Sequence, residues 1–453
     1  MAKKKKWLWI SLAFVTISII FGSIIAYHVY QEVMGSEDLN GTQTVIPEPS
    51  NTLPPLVKGK TDWPNWRGPG LDGKSMVSGI RRDWTGGLKK IWQVDYLCQG
   101  KQTATWSSVV VQGNRLVVPG RDEQNDLLFC LNSENGDLIW AGSYPAETDA
   151  GHGPGPRATP FIDDTLIYTF GRGGDLVCWQ LYDGEMVWQQ NVQSLGGMEP
   201  GWGYSSSPLV FKNLVIVQGG GTATVIAYDK ITGDLVWKSL EGPAGYAALT
   251  LGKSITDTSL IVFHGKGLSC LNPMTGQELW STSWETSYDV NATTPAISNN
   301  ILFMTSGYDR GSQSLRIGET SFEIIWKQDN YASQHSDPVI IDGYIYGYSG
   351  QSNQNRGDFV CLNLETGLEM WRTNKIGWGT TVMVDGYLLC MDIKGNLFLV
   401  NPDPSAFHKV TEMKNALTGK VKHPAWTIPV IANGKLYLRY LQQLICYDLE
   451  MSE

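Results

Sequence analysis

Apolar and polar positions alternate along this chain in short runs, and no stretch beyond residue 62 holds a helical period. The clearest run is Cys361-Leu362-Asn363-Leu364-Glu365-Thr366-Gly367-Leu368-Glu369-Met370-Trp371. It reads as a buried strand, a turn closed by Thr-Gly, and a second strand ending in Trp. The pattern recurs: Trp140 follows Gly136 and Cys130, Trp188 follows Gly184 and Cys178, Trp237 follows Gly233 and Ala227, and Trp280 follows Gly276 and Cys270. Trp326 has Phe322 and Arg316 in those places, a degenerate copy. Starting from Trp92, successive Trp are 48, 48, 49, 43, 46 and 45 residues apart. Short strands at such a period predict a β-propeller.

Each repeat predicts four strands. The first follows a Ser/Thr-Pro step or its equivalent, as at Thr159-Pro160, Ser207-Pro208, Thr294-Pro295 and Asp337-Pro338. Pairs such as Asp342-Gly343, Asp385-Gly386 and Asn433-Gly434 suit two-residue hairpins that need positive φ. Leu88–Val94 resembles a last strand with no first three before it, while Pro429–Tyr447 supplies three strands without a fourth. The N-terminal strand is therefore expected to complete the C-terminal blade, which removes both free sheet edges. With a weak copy near Phe407, the count is eight blades. The expected fold is all-β, an eight-bladed propeller of four-stranded blades closed by an N-terminal strand, over residues 62–453.

The first sixty residues differ in kind. Residues 1–6 form a basic tail, Lys3 to Lys6, and Trp7–Tyr27 is an apolar run without a charge. About 20 such residues span a bilayer, and flanking Lys keep their end in the cytoplasm. The run is longer than the apolar region of a cleaved signal and Ile24-Ile25-Ala26 is a poor cleavage site. Residues 7–27 are therefore expected to be a transmembrane signal anchor. Residues 28–61, with Pro47, Pro49, Pro54 and Pro55, are expected to be a disordered linker. This places the propeller on the periplasmic or extracellular side of an inner membrane.

Charge narrows the partners. Residues 61–453 carry 29 Lys/Arg against 40 Asp/Glu, an acidic body with no basic stripe, which argues against nucleic acid. Of the seven Cys, four share one repeat position and Cys446 makes a fifth. Equivalent positions in neighbouring blades lie about 10 Å apart, beyond the reach of a disulfide, so these are expected to be buried unpaired thiols. Cys98 and Cys390 are the only plausible odd pair.

The Thr-Gly-x-x-x-Trp repeat resembles the pyrroloquinoline-quinone-type propeller repeat. That repeat builds the quinoprotein alcohol dehydrogenases and the outer-membrane assembly lipoproteins of the BamB type. Trp63-Pro64-Asn65-Trp66-Arg67-Gly68-Pro69, Gly155–Pro160 and Trp202–Pro208 resemble an exported bacterial subfamily of binding-like repeat proteins. The resemblance covers about residues 62–449. The dehydrogenases pack an adjacent Cys-Cys pair on their quinone, and this chain has none. Their calcium set of Glu, Asn and catalytic Asp has no placeable counterpart, and the lipidated Cys of the assembly lipoproteins is missing.

Innermost strands line a propeller's channel, so a site is expected at their starts. One residue per blade gives Trp106 (or Thr105), Arg157, Ser205, Tyr246, Ala292, His335, Trp378 and Trp426. Of these, Arg157, Tyr246, His335, Trp378, Trp426 and Trp106 are the candidate ligand-binding residues. Two readings stay open: a funnel that stacks and pairs a planar or anionic ligand, or bulky side chains that fill the tapered axis. Arg67 is a further candidate anchor, and His152 is expected to be a solvated loop residue. Asp122–Asp126 is expected to be a solvated hairpin tip, because it lacks calcium-loop spacing. Gly219–Gly221 is expected to be a turn. No catalytic triad and no metal site are expected. The function expected is a binding or scaffold module for a protein, peptide or glycan. The alternative is a quinoprotein-like dehydrogenase using pyrroloquinoline quinone and calcium.

Overall fold

The computed structural model describes residues 40–49, 52–147, 153–253, 258–351 and 356–451. Their strands form eight four-stranded antiparallel sheets. Seven are consecutive in the chain: blade 1 runs from β2 (Val110–Gln112) to β5 (Leu138–Pro145), and blade 7 from β26 (Gly379–Val384) to β29 (His408–Met413). Blade 8 joins β30 (Val430–Ala432), β31 (Lys435–Tyr440) and β32 (Gln443–Asp448) to β1 (Lys90–Val94). Trp92 pairs with Cys446 and Gln93 with Ile445. The two ends of the ring thus close on each other, as the incomplete repeats predict.

The repeat positions have physical roles. The small residue faces its Trp across the sheet: Cys130 opposite Trp140, Cys178 opposite Trp188, Ala227 opposite Trp237, Cys361 opposite Trp371. The Trp leans on the next blade. The indole nitrogens of Trp92, Trp140, Trp188, Trp280, Trp326 and Trp371 donate to Ser133, Leu181, Lys230, Gly318, Leu364 and Asp403 carbonyls of the following blade. The motif glycine of that blade receives the ring. A Cβ on Gly136 would lie 2.8 Å from Trp92, and one on Gly184 2.4 Å from Trp140. The glycine is therefore fixed twice, by its positive φ and by the indole of its neighbour. All seven cysteines are buried and free.

Two degenerate copies need correction. The residue opposite Trp326 is Ser314, not Arg316, because this blade's third and fourth strands run further before they turn. In blade 7 the closing place belongs to Thr411, opposite Leu399, and not to Phe407. Phe407 instead packs on Trp371 at 5.7 Å. Trp84, buried, donates its backbone N–H to the Thr411 hydroxyl, so an aromatic from the entering chain stands beside the missing Trp.

Among the described residues no helix is long and apolar enough to cross a membrane. The Trp7–Tyr27 run and the basic tail lie outside the described residues, as does His152. Part of the segment read as a linker lies on blades 1 and 8. Gly41 and Thr42 donate to Gly100 and Cys98 carbonyls, Val57 exchanges bonds with Asn114, and Thr61 bonds Asn433. Composition misses this because polar, Pro-rich sequence also suits an extended segment bound along a surface. The Asp122–Asp126 tip is only partly solvated. Asp126 is buried, pairs with Arg121 at 2.6 Å and accepts from Tyr144. Gly220 and Gly221 turn with positive φ.

Candidate binding face of the ring

The innermost strand of each blade presents three tiers to the axis. The lowest is the residue just before the hairpin end, and the entering chain closes it. Trp63 exchanges backbone bonds with Val111, Pro64 accepts from Ile162, Ser75 and Gly73 bond Met383, and the Ser75 hydroxyl donates to Ile431. Between these points the chain crosses from blades 1 and 2 to blades 5 and 6. There the Trp66 indole donates to Asp337 at 3.0 Å and the Arg67 guanidinium pairs with Asp337 at 3.3 Å. Arg67 also donates to Pro338 O at 2.8 Å, and both members of the ion pair are buried. Arg67 thus fastens the plug and faces no open channel.

The middle tier explains the Ser/Thr-Pro steps. Ser108 N–H donates to the Thr159 hydroxyl, Thr159 N–H to the Ser207 hydroxyl, and Thr294 N–H to the Asp337 carboxylate at 2.7 Å. Proline at the next position has no donor, so the side chain before it takes the neighbouring blade's N–H. These bonds form a polar girdle that ties blade to blade at the axis.

The upper tier carries every residue expected at strand starts. Trp106, Arg157, Ser205, Ala292, His335, Trp378 and Trp426 each stand six residues before the end of their innermost strand. Tyr246 is matched by its bond: its N–H donates to Asn291 O, as that of Trp106 donates to Pro156 O. Thr105, the alternative in blade 1, is buried and bonded to Arg439 instead. Four of these residues form one aromatic chain. Trp106 meets Trp426 with ring centroids 4.7 Å apart, Trp426 meets His335 at 5.5 Å, and His335 meets Trp378 at 5.7 Å. The His335–Trp426 contact joins blades 6 and 8 directly. Burial lowers the His335 pKa to about 4, so the imidazole is neutral at pH 7.

Arg157 stands apart from this chain, on blade 2. Its guanidinium and that of Arg172 both donate to Gly153 O, at 3.4 and 3.3 Å. Burial, and then the charge of Arg172, bring the Arg157 pKa down to about 9. Tyr246 begins a second aromatic series that sequence reading misses. It meets Trp202 at 5.9 Å, Trp202 meets Tyr288 at 5.9 Å, and Tyr288 meets Tyr308 at 6.1 Å. Trp202, Tyr288 and Tyr308 come from loops with no repeat register. Only Trp202 had a signal, its place among Gly and Pro residues. Tyr288 is 74% exposed and, with Asp289, adopts a left-handed backbone, a strain that clusters at binding sites.

The neutral His335 has a consequence for stability. An unfolded imidazole titrates near 6.5 and the folded one near 4, so the unfolded chain binds more protons in between. Stability is therefore expected to fall as pH drops through this window. His264, held near 4 by burial, acts in the same direction. In His335→Gln, thermal midpoints measured from pH 7 to pH 4 are expected to show a smaller decline. An unchanged slope would contradict the assignment.

The ring was compared with known proteins. Residues 143–373, just over half of the 453, match the family described as outer membrane protein assembly factor BamB. The chain belongs to this BamB family. The BamB protein of Yersinia pestis is 21% identical over 388 residues, which covers 83% of this chain and 81% of that protein. The tetrathionate hydrolase of Acidithiobacillus ferrooxidans is 26% identical over 195 residues, 40% of this chain and only 38% of the hydrolase. Among solved structures, BamB from Moraxella catarrhalis matches at TM-score 0.56 and 15% identity, over 77% of this chain and 95% of that one. The quinohemoprotein alcohol dehydrogenase of Comamonas testosteroni matches at TM-score 0.61 and 12% identity, over 86% and 81%. At such identities the structures share a fold.

The dehydrogenase likeness raises a quinone with calcium, and the residues here do not fit that pair. Calcium takes six to eight oxygen ligands. The upper tier offers indoles, an imidazole, a phenol, a guanidinium and one hydroxyl, that of Ser205, which donates to Tyr246 O. Among the described residues no three His, Cys, Asp or Glu side chains converge as a metal set. The seven thiols are all free, and no two are adjacent in sequence.

Proposed function

We propose that this protein is a membrane-anchored, exported propeller that binds a protein or peptide partner through the upper face of its ring. The observation that carries the reading is the asymmetry of the two faces. One is closed by the Trp63–Ser75 crossing; the other presents Trp202, Tyr246, Tyr288 and Tyr308 around the Arg157 corner. Tyr288 is exposed, Trp202, Tyr246 and Tyr308 are half-buried behind it, and the Arg157 guanidinium lies deeper; Tyr, Trp and Arg are the residue types that dominate protein interfaces. Membership of the BamB family supports the same reading, since its described member is an assembly factor. The anchor is supported by Lys3 to Lys6 followed by the uncharged Trp7–Tyr27 run. The location that follows is an inner membrane, crossed once, with the propeller on the periplasmic or extracellular side.

A photo-crosslinking residue at position 288 of the membrane-bound full chain tests this. A discrete adduct with one polypeptide is expected. With the crosslinking residue moved to position 308, Trp202→Ala with Tyr288→Ala should reduce adduct yield at least about tenfold, a change of roughly 1.4 kcal/mol, without moving the melting temperature. No adduct from positions 202, 288 or 308 would sink the upper face as the binding surface. Release of the chain from membranes by alkaline carbonate would sink the anchor.

A further inference from the structure

The outer rim of the ring is uneven, and the unevenness has a pattern. Each blade ends in an edge strand, and the residue two before its closing position lies near the start of that strand. In blades 4, 6, 7 and 8 that residue is Glu278, Glu369, Lys409 and Lys90. Charges there are how sheet proteins keep edges from pairing with other chains. Blades 2 and 3 lack the charge. Their edge strands, β9 (Met186–Asn191) and β13 (Leu235–Ser239), carry Met186-Val187 and Leu235-Val236, each between 37% and 48% exposed. Blade 5 has Ile324 there, but blade 5 stands between the two blades that carry Glu278 and Glu369.

The apolar starts of these two edge strands are neighbours, and the charge on β13, Lys238, lies at its far end and donates to Leu195 O. Trp188 donates to Lys230 O, which sets the blade 3 turn bearing exposed Ile231 beside the blade 2 edge. The result is an apolar belt from Met186 to Val236.

Blade 1 shows what such an edge accepts. Its equivalent residues, Leu138 and Ile139, are only 4% and 2% exposed. Ile46 packs on the cluster that holds Leu138, and Leu53 on the cluster that holds Ile139. Both come from the extended, Pro-rich segment of this same chain. Blade 1 also holds that segment's backbone. Asn114 bonds Val57 N–H and Pro55 O, and Arg115 donates to Pro54 O. In blade 3 the same hairpin position is Asn213.

We infer that the belt of Met186, Val187, Ile231, Leu235 and Val236 docks an extended, proline-interrupted aliphatic segment of a partner protein. Residues 46–49 and 52–57 of this chain are the precedent, with Ile46 and Leu53 on the clusters that hold Leu138 and Ile139 and the backbone of 54–57 on the hairpin at Asn114 and Arg115. The inference rests on the reading that the protein binds polypeptides, and it adds a second surface, on the rim.

The probe is a fluorescent synthetic peptide of this chain's residues 44–58, titrated into the full chain in lipid nanodiscs and followed by anisotropy. Saturable binding is expected. Val187→Lys with Val236→Lys should weaken it at least about tenfold, with the melting temperature unchanged because both side chains are exposed. A peptide with Ser in place of Ile46, Leu53, Leu56 and Val57 should bind at least about tenfold more weakly. No saturation at millimolar peptide, or equal affinity for the Lys variant, overturns the inference. So does a drop in oligomeric state of the Lys variant by light scattering, which would assign the belt to a second copy. A Tyr288 adduct that survives the Lys substitutions, with no peptide bound, would leave the upper-face reading standing and remove only this one.

Discussion

Gly184→Ala is expected to be among the most damaging single-methyl changes in this protein. The residue sits at φ +77, where an L-residue costs about 1–2 kcal/mol. The new Cβ would also stand 2.4 Å from the Trp140 ring, so the indole must leave its seat against blade 2. Forcing atoms into a packed site adds about 1–3 kcal/mol, for a total loss of about 2–5 kcal/mol in urea denaturation. Gly386→Ala is the control. Gly386 has the same backbone twist, φ +78, with nothing within 4 Å of the added carbon, so only the conformational cost of about 1–2 kcal/mol applies. Equal losses at the two positions would show that the indole contact contributes nothing.

The second large effect is expected at Asp337. Its carboxylate takes the Arg67 guanidinium, the Trp66 indole N–H and the Thr294 backbone N–H. Asp337→Ala leaves a buried guanidinium without its counter-charge, which costs about 3–5 kcal/mol. The entering chain should then lift from the ring, so limited proteolysis between residues 62 and 88 is the direct readout. Asp337→Asn with Arg67→Met removes both charges and keeps an acceptor for Thr294. It should recover most of the melting temperature. If the double variant melts as low as Asp337→Ala, the ion pair is not what holds the plug.

The architecture was legible because each repeat restates it. Trp, Gly and a small residue recur at fixed spacing, and the orphan strand around Trp92 had one economical partner. The upper tier was legible for the same reason, since strand starts are in register from blade to blade. What failed were the places where register slips. Two added residues in blade 5 moved the partner of Trp326 from Arg316 to Ser314, and Thr411 in blade 7 has nothing about it that marks a closing position. The Ser and Thr of the girdle were visible beside their prolines, yet their bonds run to a neighbouring blade, which a single repeat does not reveal. Tyr288 and Tyr308 lie in loops, where position follows from three-dimensional packing alone. The bound stretch at residues 52–61 was hidden by composition, which reports solubility and not what a neighbouring surface can hold.

Closure by β1 also sets an order of events. Trp92 waits for Cys446, which lies in the last of the described strands. Until then blade 8 does not exist, and the plug that spans blades 1, 2, 5, 6 and 7 has only part of its seat. Pairing across such a span carries a loop-closure cost that local hairpins do not, and folds dominated by distant contacts form slowly. Until β32 is in place the ring cannot close, and β1 has no partner strand. A chaperone or protease that samples unpaired strands would meet this protein in that state and not in its closed ring.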